Sequence, residues 1–111
     1  GPPPRGHPRD ARVDPADPGL VPAAAVAGRV GRRVAVAGLV CARRRAETRA
    51  GETMLFLTVA DRTGLVECVL RPAVYRAHAA VSRATALRVE GRAEIALDAV
   101  TLHAGRLVAL G

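Results

Sequence analysis

The chain has no tryptophan, one phenylalanine and one tyrosine among 111 residues, so any surface that stacks flat ligands has few rings to work with. Tight sequence-reading recognition by stacking is therefore not expected. It also has no lysine: all 17 basic residues are arginine, set against 10 acidic ones. That composition tracks genome base content as much as selection, but a net charge of +7 attracts polyanions whatever its origin. No apolar run reaches the roughly 18 residues of a membrane span. Residues 1–19 are broken by prolines and have no apolar centre, so they do not read as a secretory leader, and cytoplasmic residence is the default expectation. The two cysteines, Cys41 and Cys68, lie in apolar stretches with no CxxC pattern or Cys/His cluster near them, and they read as buried free thiols rather than metal ligands. His7, His78 and His103 stand apart from one another and from any carboxylate at ligand spacing. No nucleophile and base, paired acids or phosphate-cradling glycine loop can be assembled, so no catalytic residue, metal site, cofactor or small-molecule substrate is expected.

What the chain does contain is alternation. Residues 54–70, MLFLTVADRTGLVECVL, are two apolar-alternating runs joined by the polar break Asp61-Arg62-Thr63-Gly64, which reads as strand, tight turn, strand. Residues 34–43 form an earlier run, with Gly38 as the expected bend. Arg71-Pro72 opens a helix-like stretch in which Val74, Tyr75, His78 and Val81 fall near one stripe, with Tyr75 expected to pack. Two further strand-like runs follow, residues 86–94 and a last run holding Val100, Leu102 and Ala104, with Asp98 at the turn between them. Three strands, a helix and two strands is the order of an all-β, five-stranded Greek-key barrel of the OB type, with the short helix between strands three and four. Residues 1–30 read as an irregular arm with a possible short helical turn after Pro22, and residues 31–111 as the barrel domain.

Barrels of this class bind single strands on the curved face of strands two and three and on the flanking loops. Phosphates need fixed cations, and Arg43, Arg44, Arg45 and Arg49 crowd the connection at residues 43–52. If Leu55, Leu57 and Val59 point inward, Phe56 points outward, where a ring is best covered by a base or a partner. Arg62 in the hairpin turn, Arg71 at the helix entrance, and Arg88 and Arg92 on the outward face of the fourth strand extend the candidate basic track. Arg88 and Arg92 also flank Glu90, and a surface ion-pair ladder explains them equally well. The expected partner is a single-stranded nucleic acid. The apolar tip Ile95-Ala96-Leu97 and the tail at residues 107–110 suggest a contact with another protein or with a second copy of the chain.

Residues 34–78, from VAVAGLVCARRR through FLTVADRTGLVECVL to RPAVYRAH, together with LRVEGRAEIALDAVTLHAGRLVAL, resemble the C-terminal barrel of bacterial C-family DNA polymerases. The likeness is to the polymerase III alpha subunit and especially its error-prone relatives, and Gly6-His7-Pro8 is similar to an element that precedes that barrel. The hairpin is shared with the anticodon-binding barrels of aspartyl- and lysyl-type tRNA synthetases. The resemblance implies that Phe56 stacks on a base and that Arg43, Arg44, Arg45 and Arg49 hold single-stranded DNA template, in a non-catalytic domain of a replication or repair polymerase; the alternatives are a module that contacts other polymerase or repair subunits and an RNA-binding barrel of the anticodon type. The chain departs from the family pattern at the apolar tip of residues 95–97, at Ala60 and at His78.

Overall fold

In the computed structural model, which describes residue 17 and residues 19–111, five strands close into a barrel in the order β1-β2-β3-β5-β4. The strands are β1 (Arg33–Glu47), β2 (Thr53–Asp61), β3 (Gly64–Leu70), β4 (Ala86–Ala96) and β5 (Ala99–Ala109). A short helix, α1 (Pro72–His78), and a 3-10 turn at Val81–Arg83 lie between β3 and β4. This is the OB architecture expected from the order of elements. Neighbouring strands are antiparallel except β3 and β5, whose parallel pairing of residues 67–69 with 101–103 shuts the cylinder. No helix among the described residues is long and apolar enough to cross a membrane. The element preceding the barrel in the resemblance, Gly6-His7-Pro8, lies outside the described residues.

Alternation decides what faces in. Leu55, Leu57 and Val59 of β2, Val66, Cys68 and Leu70 of β3, Leu87 and Val89 of β4, and Leu102 of β5 are buried to within a few per cent, and Val34 and Val36 of β1 complete the wall. The core is aliphatic throughout, as a chain nearly without rings requires. Tyr75 and Val74 of α1 and Val81 pack against one end of it, as the helical stripe predicts.

Two glycines permit the closure. At Gly38 the strand β1 passes from pairing with β4 to pairing with β2, and a Cβ there would overlap the Ala60 carbonyl. At Gly91, beside a register shift in β4, a Cβ would overlap the His103 carbonyl. Both are positions of close backbone approach, where hydrogen in place of a side chain lets the sheet coil.

Two local features differ from the sequence expectations. Arg43, Arg44 and Arg45 are not in a loop: β1 continues to Glu47 and pairs with β2 as far as Glu47 opposite Thr53, which leaves a turn of only residues 48–52. Charge made this stretch look like a connection. The burial of β1 gives way after Gly38 and residues 41–45 are exposed although they pair with β2, so arginines are tolerated there. Cys41 is exposed rather than buried, because a register shift between Val40 and Ala42 displaces it from the alternation, whereas Cys68 is fully buried. Burial pushes the Cys68 thiol up to about 12.

The segment after residue 19 is also bound to the barrel. The amide of Ala35 donates to Gly19 O and the amide of Val21 to Ala35 O, so residues 19–21 line the edge of β1. The 3-10 helix Ala23–Arg29 then buries Ala23 and Val26. Its first turn follows Pro22, which has no side chain to cap it, and the β2–β3 turn supplies the cap instead. Asp61 Oδ2 accepts from the Ala23 amide at 2.8 Å and Thr63 Oγ1 from the Ala24 amide at 3.0 Å. Asp61 Oδ1 also accepts from the Thr63 amide and hydroxyl, which holds the turn.

Candidate functional site

The outward face of β1, β2 and β3 follows from register. Arg44 stands opposite Phe56, Phe56 opposite Val69, and Val69 opposite His103, in one row across the sheet. The next row holds Ala42, Thr58, Glu67 and Thr101, and the one beyond it Leu39, Ala60 and Leu65. With Leu55 and Leu57 buried on either side of it, Phe56 lies on the outer face in the phase the alternation predicts, and it is half-buried. The Arg44 guanidinium covers it, with Cζ 4.3 Å from the ring centroid. Guanidinium over ring is a cation–π contact that also presents a flat, charged plane outward.

The arginines do not share one face. Arg43 pairs in register with Leu57 and Arg45 with Leu55, so both turn to the side opposite Arg44. Arg43 is committed to structure: its Nε donates to Ser82 O at 3.0 Å and its Nη2 to Ala84 O at 2.6 Å, tying the ribbon to the segment after α1. All three, Arg43, Arg44 and Arg45, nevertheless border one recess of about 310 Å³, together with Arg83 and Tyr75. Arg49 occupies the β1–β2 turn, and Arg62 the β2–β3 turn.

Arg88 and Arg92 are not brought to this face, because β4 lies between β1 and β5. Arg88 is mostly buried and makes two 2.7 Å hydrogen bonds to Asp17, through Nε and Nη2, and a third at 3.3 Å to Glu90. The hydrogen bonds from Arg88 hold Asp17 and Glu90 below the usual carboxylate range, and the bond to Asp17 holds Arg88 itself above its ordinary value. A guanidinium with two carboxylates has little left for a phosphate. Arg92 donates from Nη1 to Gly31 O. The ladder reading of β4 therefore holds for Arg88, which pairs with Glu90, but not for Arg92; Arg33 takes the other place on Glu90, and Asp17 joins as the closest partner of Arg88.

Glu67 was missed by sequence reasoning. It is exposed in the middle of the face, one row from Phe56, and the signal was the single acid in the outward phase of Val66-Glu67-Cys68. A carboxylate repels phosphates but accepts from base N–H groups. Thr101, its register partner on β5, is buried with its Oγ1 lacking a hydrogen-bond partner among the described residues. His103 stands at the seam, 3.9 Å from Glu94. No group of three His, Cys, Asp or Glu side chains among the described residues is placed to hold a metal ion.

At the far end of β4 and β5, Leu97 takes a left-handed conformation (φ 57°) in the turn and is 99% exposed. Ile95 and Leu65 are also largely exposed.

A family model described as OB-fold nucleic acid binding domain, of the tRNA anti-codon type, matches residues 34–110. Over 92 residues, 80% of this chain, the sequence is 41% identical to an error-prone DNA polymerase of Mycolicibacterium paratuberculosis. Over 71 residues, 64% of the chain, it is 41% identical to an error-prone DNA polymerase of Ruegeria pomeroyi. The matched segments are 8% and 6% of those polymerases, so the chain spans a small part of the relatives it matches. Among solved structures, OBody AM1L10 bound to hen egg-white lysozyme superposes with a TM-score of 0.63 at 19% identity, covering 82% of this chain and 90% of that one. Asparaginyl-tRNA synthetase from Pyrococcus horikoshii gives 0.55 at 22% identity, over 75% of this chain and 20% of the synthetase. These two likenesses establish the fold alone.

Proposed function

The chain belongs to the OB-fold nucleic acid binding domains of the tRNA anti-codon family and is related to error-prone DNA polymerases, and from that membership we propose that the β1–β2–β3 face binds single-stranded DNA. The observation that carries this reading is the Arg44–Phe56 stack on the outer face of β1 and β2. A base lies on the stacked pair, and its phosphates run along the ribbon toward Arg49. Glu67 receives N–H donors of a neighbouring base and keeps the backbone off the middle of the sheet. The domain binds and positions a strand, and any chemistry is performed elsewhere, as on a polymerase of which such a barrel is a part.

The test is a fluorescence anisotropy titration with labelled oligo-dT at two ionic strengths, with unlabelled single-stranded RNA of matched length as competitor. With about four phosphates neutralised, log affinity falls against log salt with a slope of roughly −3, at ~0.7 per contact. Affinity that ignores salt, or no binding at low salt, refutes the proposal, and RNA that outcompetes DNA turns it into an anticodon-like RNA reader.

The fully exposed Leu97, held at a positive φ beside exposed Ile95, favours a second role as a protein contact. Leu97→Asp is then expected to abolish an assembly while leaving oligo-dT affinity intact.

A further inference from the structure

Outside the sheet face, the turn between β1 and β2 and the start of α1 enclose an open recess of about 600 Å³. Three arginines line it from three parts of the chain: Arg49 from the turn, Arg71 from the residue before α1, and Arg76 from within α1. Arg76 is paired with Glu52 at 3.1 Å, while the Arg49 and Arg71 side chains make no hydrogen bond or ion pair among the described residues. Glu52 offsets one of the three guanidinium groups, which leaves two positive charges facing one space. Convergent like charges without a counter-ion are unfavourable, and both side chains are long enough to splay into solvent instead.

The geometry points to a subsite for a terminal phosphate monoester of a nucleic-acid strand, held by Arg49 and Arg71 with Arg76 fixed by Glu52 behind them. Charge selects the monoester. A terminal phosphate carries close to two negative charges at pH 7 and three strong acceptor oxygens, whereas a backbone diester carries one charge. Arginine forks bind such oxygens in pairs, and two unpaired forks match the dianion. The recess has room for a terminal nucleotide as well as its phosphate, and it adjoins the ribbon that carries Arg44, so a strand leaving the Phe56 stack along that ribbon ends there. This assignment rests on the sheet face being the single-strand site, and it adds that the domain senses a strand end rather than only covering a strand interior.

Three labelled dT oligonucleotides of equal length, ending in 5′-phosphate, 3′-phosphate or hydroxyls only, are titrated against the 111-residue chain at fixed ionic strength. One phosphorylated end is expected to bind about tenfold more tightly than the hydroxyl-ended strand, a difference of ~1.4 kcal/mol. The double variant Arg49→Ala, Arg71→Ala abolishes that preference, and its circular dichroism and melting temperature report that the barrel is intact. Inorganic phosphate, added against chloride of equal ionic strength, displaces the preference without displacing the hydroxyl-ended strand. Equal affinity for all three ends, or a preference that survives the double variant, overturns the assignment. Failure of hydroxyl-ended dT to bind refutes the sheet-face reading instead. In that case the subsite is supported if a phosphorylated strand still binds through Arg49 and Arg71, and overturned if it does not.

Discussion

Replacing Phe56 by Ala removes the ring on which Arg44 lies, and the two consequences separate by size and by salt dependence. Base stacking on an aromatic side chain is worth about 1–3 kcal/mol by alanine substitution, so Kd for oligo-dT should rise roughly 5- to 150-fold. The folded barrel should hardly notice. Phe56 is half-buried and outside the aliphatic core, and its ring contact with Arg44 is of the exposed kind worth ~0.5–1 kcal/mol. Urea unfolding should therefore show a loss well below that of a core truncation. Salt then distinguishes the partners. Phe56→Ala lowers affinity at every ionic strength with the slope of log affinity against log salt unchanged, whereas Arg44→Ala reduces the slope by about 0.7, one phosphate contact for a single strand. Anisotropy at four salt concentrations, with melting curves for each variant, reads all of this. A Phe56→Ala protein that binds as tightly as the parent, or that unfolds as a core mutant does, refutes the placement of the ring on a binding face.

Leu57→Ala, at a fully buried position, should cost about 2–5 kcal/mol in urea unfolding, and Gly38→Ala should be strongly destabilising because its Cβ meets the Ala60 carbonyl; near-neutral values would contradict the packing and the strand crossing. In native protein one thiol, Cys41, should react promptly with a thiol reagent, while Cys68, buried and with its thiol pushed up to about 12, reacts only after unfolding; two fast thiols in the folded state would contradict the inward phase of β3. Asp61 is pulled in opposite directions, raised by burial but lowered further by hydrogen bonds from Thr63, Ala23 and Gly64, and Asp17 and Glu90 are lowered by their bonds to Arg88. Depressed carboxylates contribute stability that is present above their unfolded values, roughly pH 4, and is lost as pH falls through the folded ones, so the melting temperature should drop on acidification below about pH 4 and drop less steeply in Asp61→Asn.

The barrel was legible wherever a strand has one wet and one dry face. Leu55, Leu57 and Val59 announce the phase of β2, and with it the outward position of Phe56. The turn after Asp61 was equally plain, since an Asx-type turn is local chemistry. What stayed hidden depends on partners distant in sequence. Asp17 and Arg88 are 71 residues apart, and nothing near either predicts that Arg88 is spent on an ion pair. The run Arg43-Arg44-Arg45 looked like one cationic patch, but a strand sends alternate residues to opposite sides, and only the pairing with Leu57, Phe56 and Leu55 shows that these arginines divide. Cys41 escaped its expected burial because a one-residue register shift has no signature in composition.

The most direct measurement is a titration of the isotopically labelled chain with unlabelled oligo-dT, following every backbone amide by NMR. Shifts concentrated at residues 42–46, 54–58 and 65–69, with β4 and its Arg88–Asp17 pair undisturbed, are the result the account predicts. Shifts centred on β4, or none at concentrations where oligonucleotide binds, would contradict it.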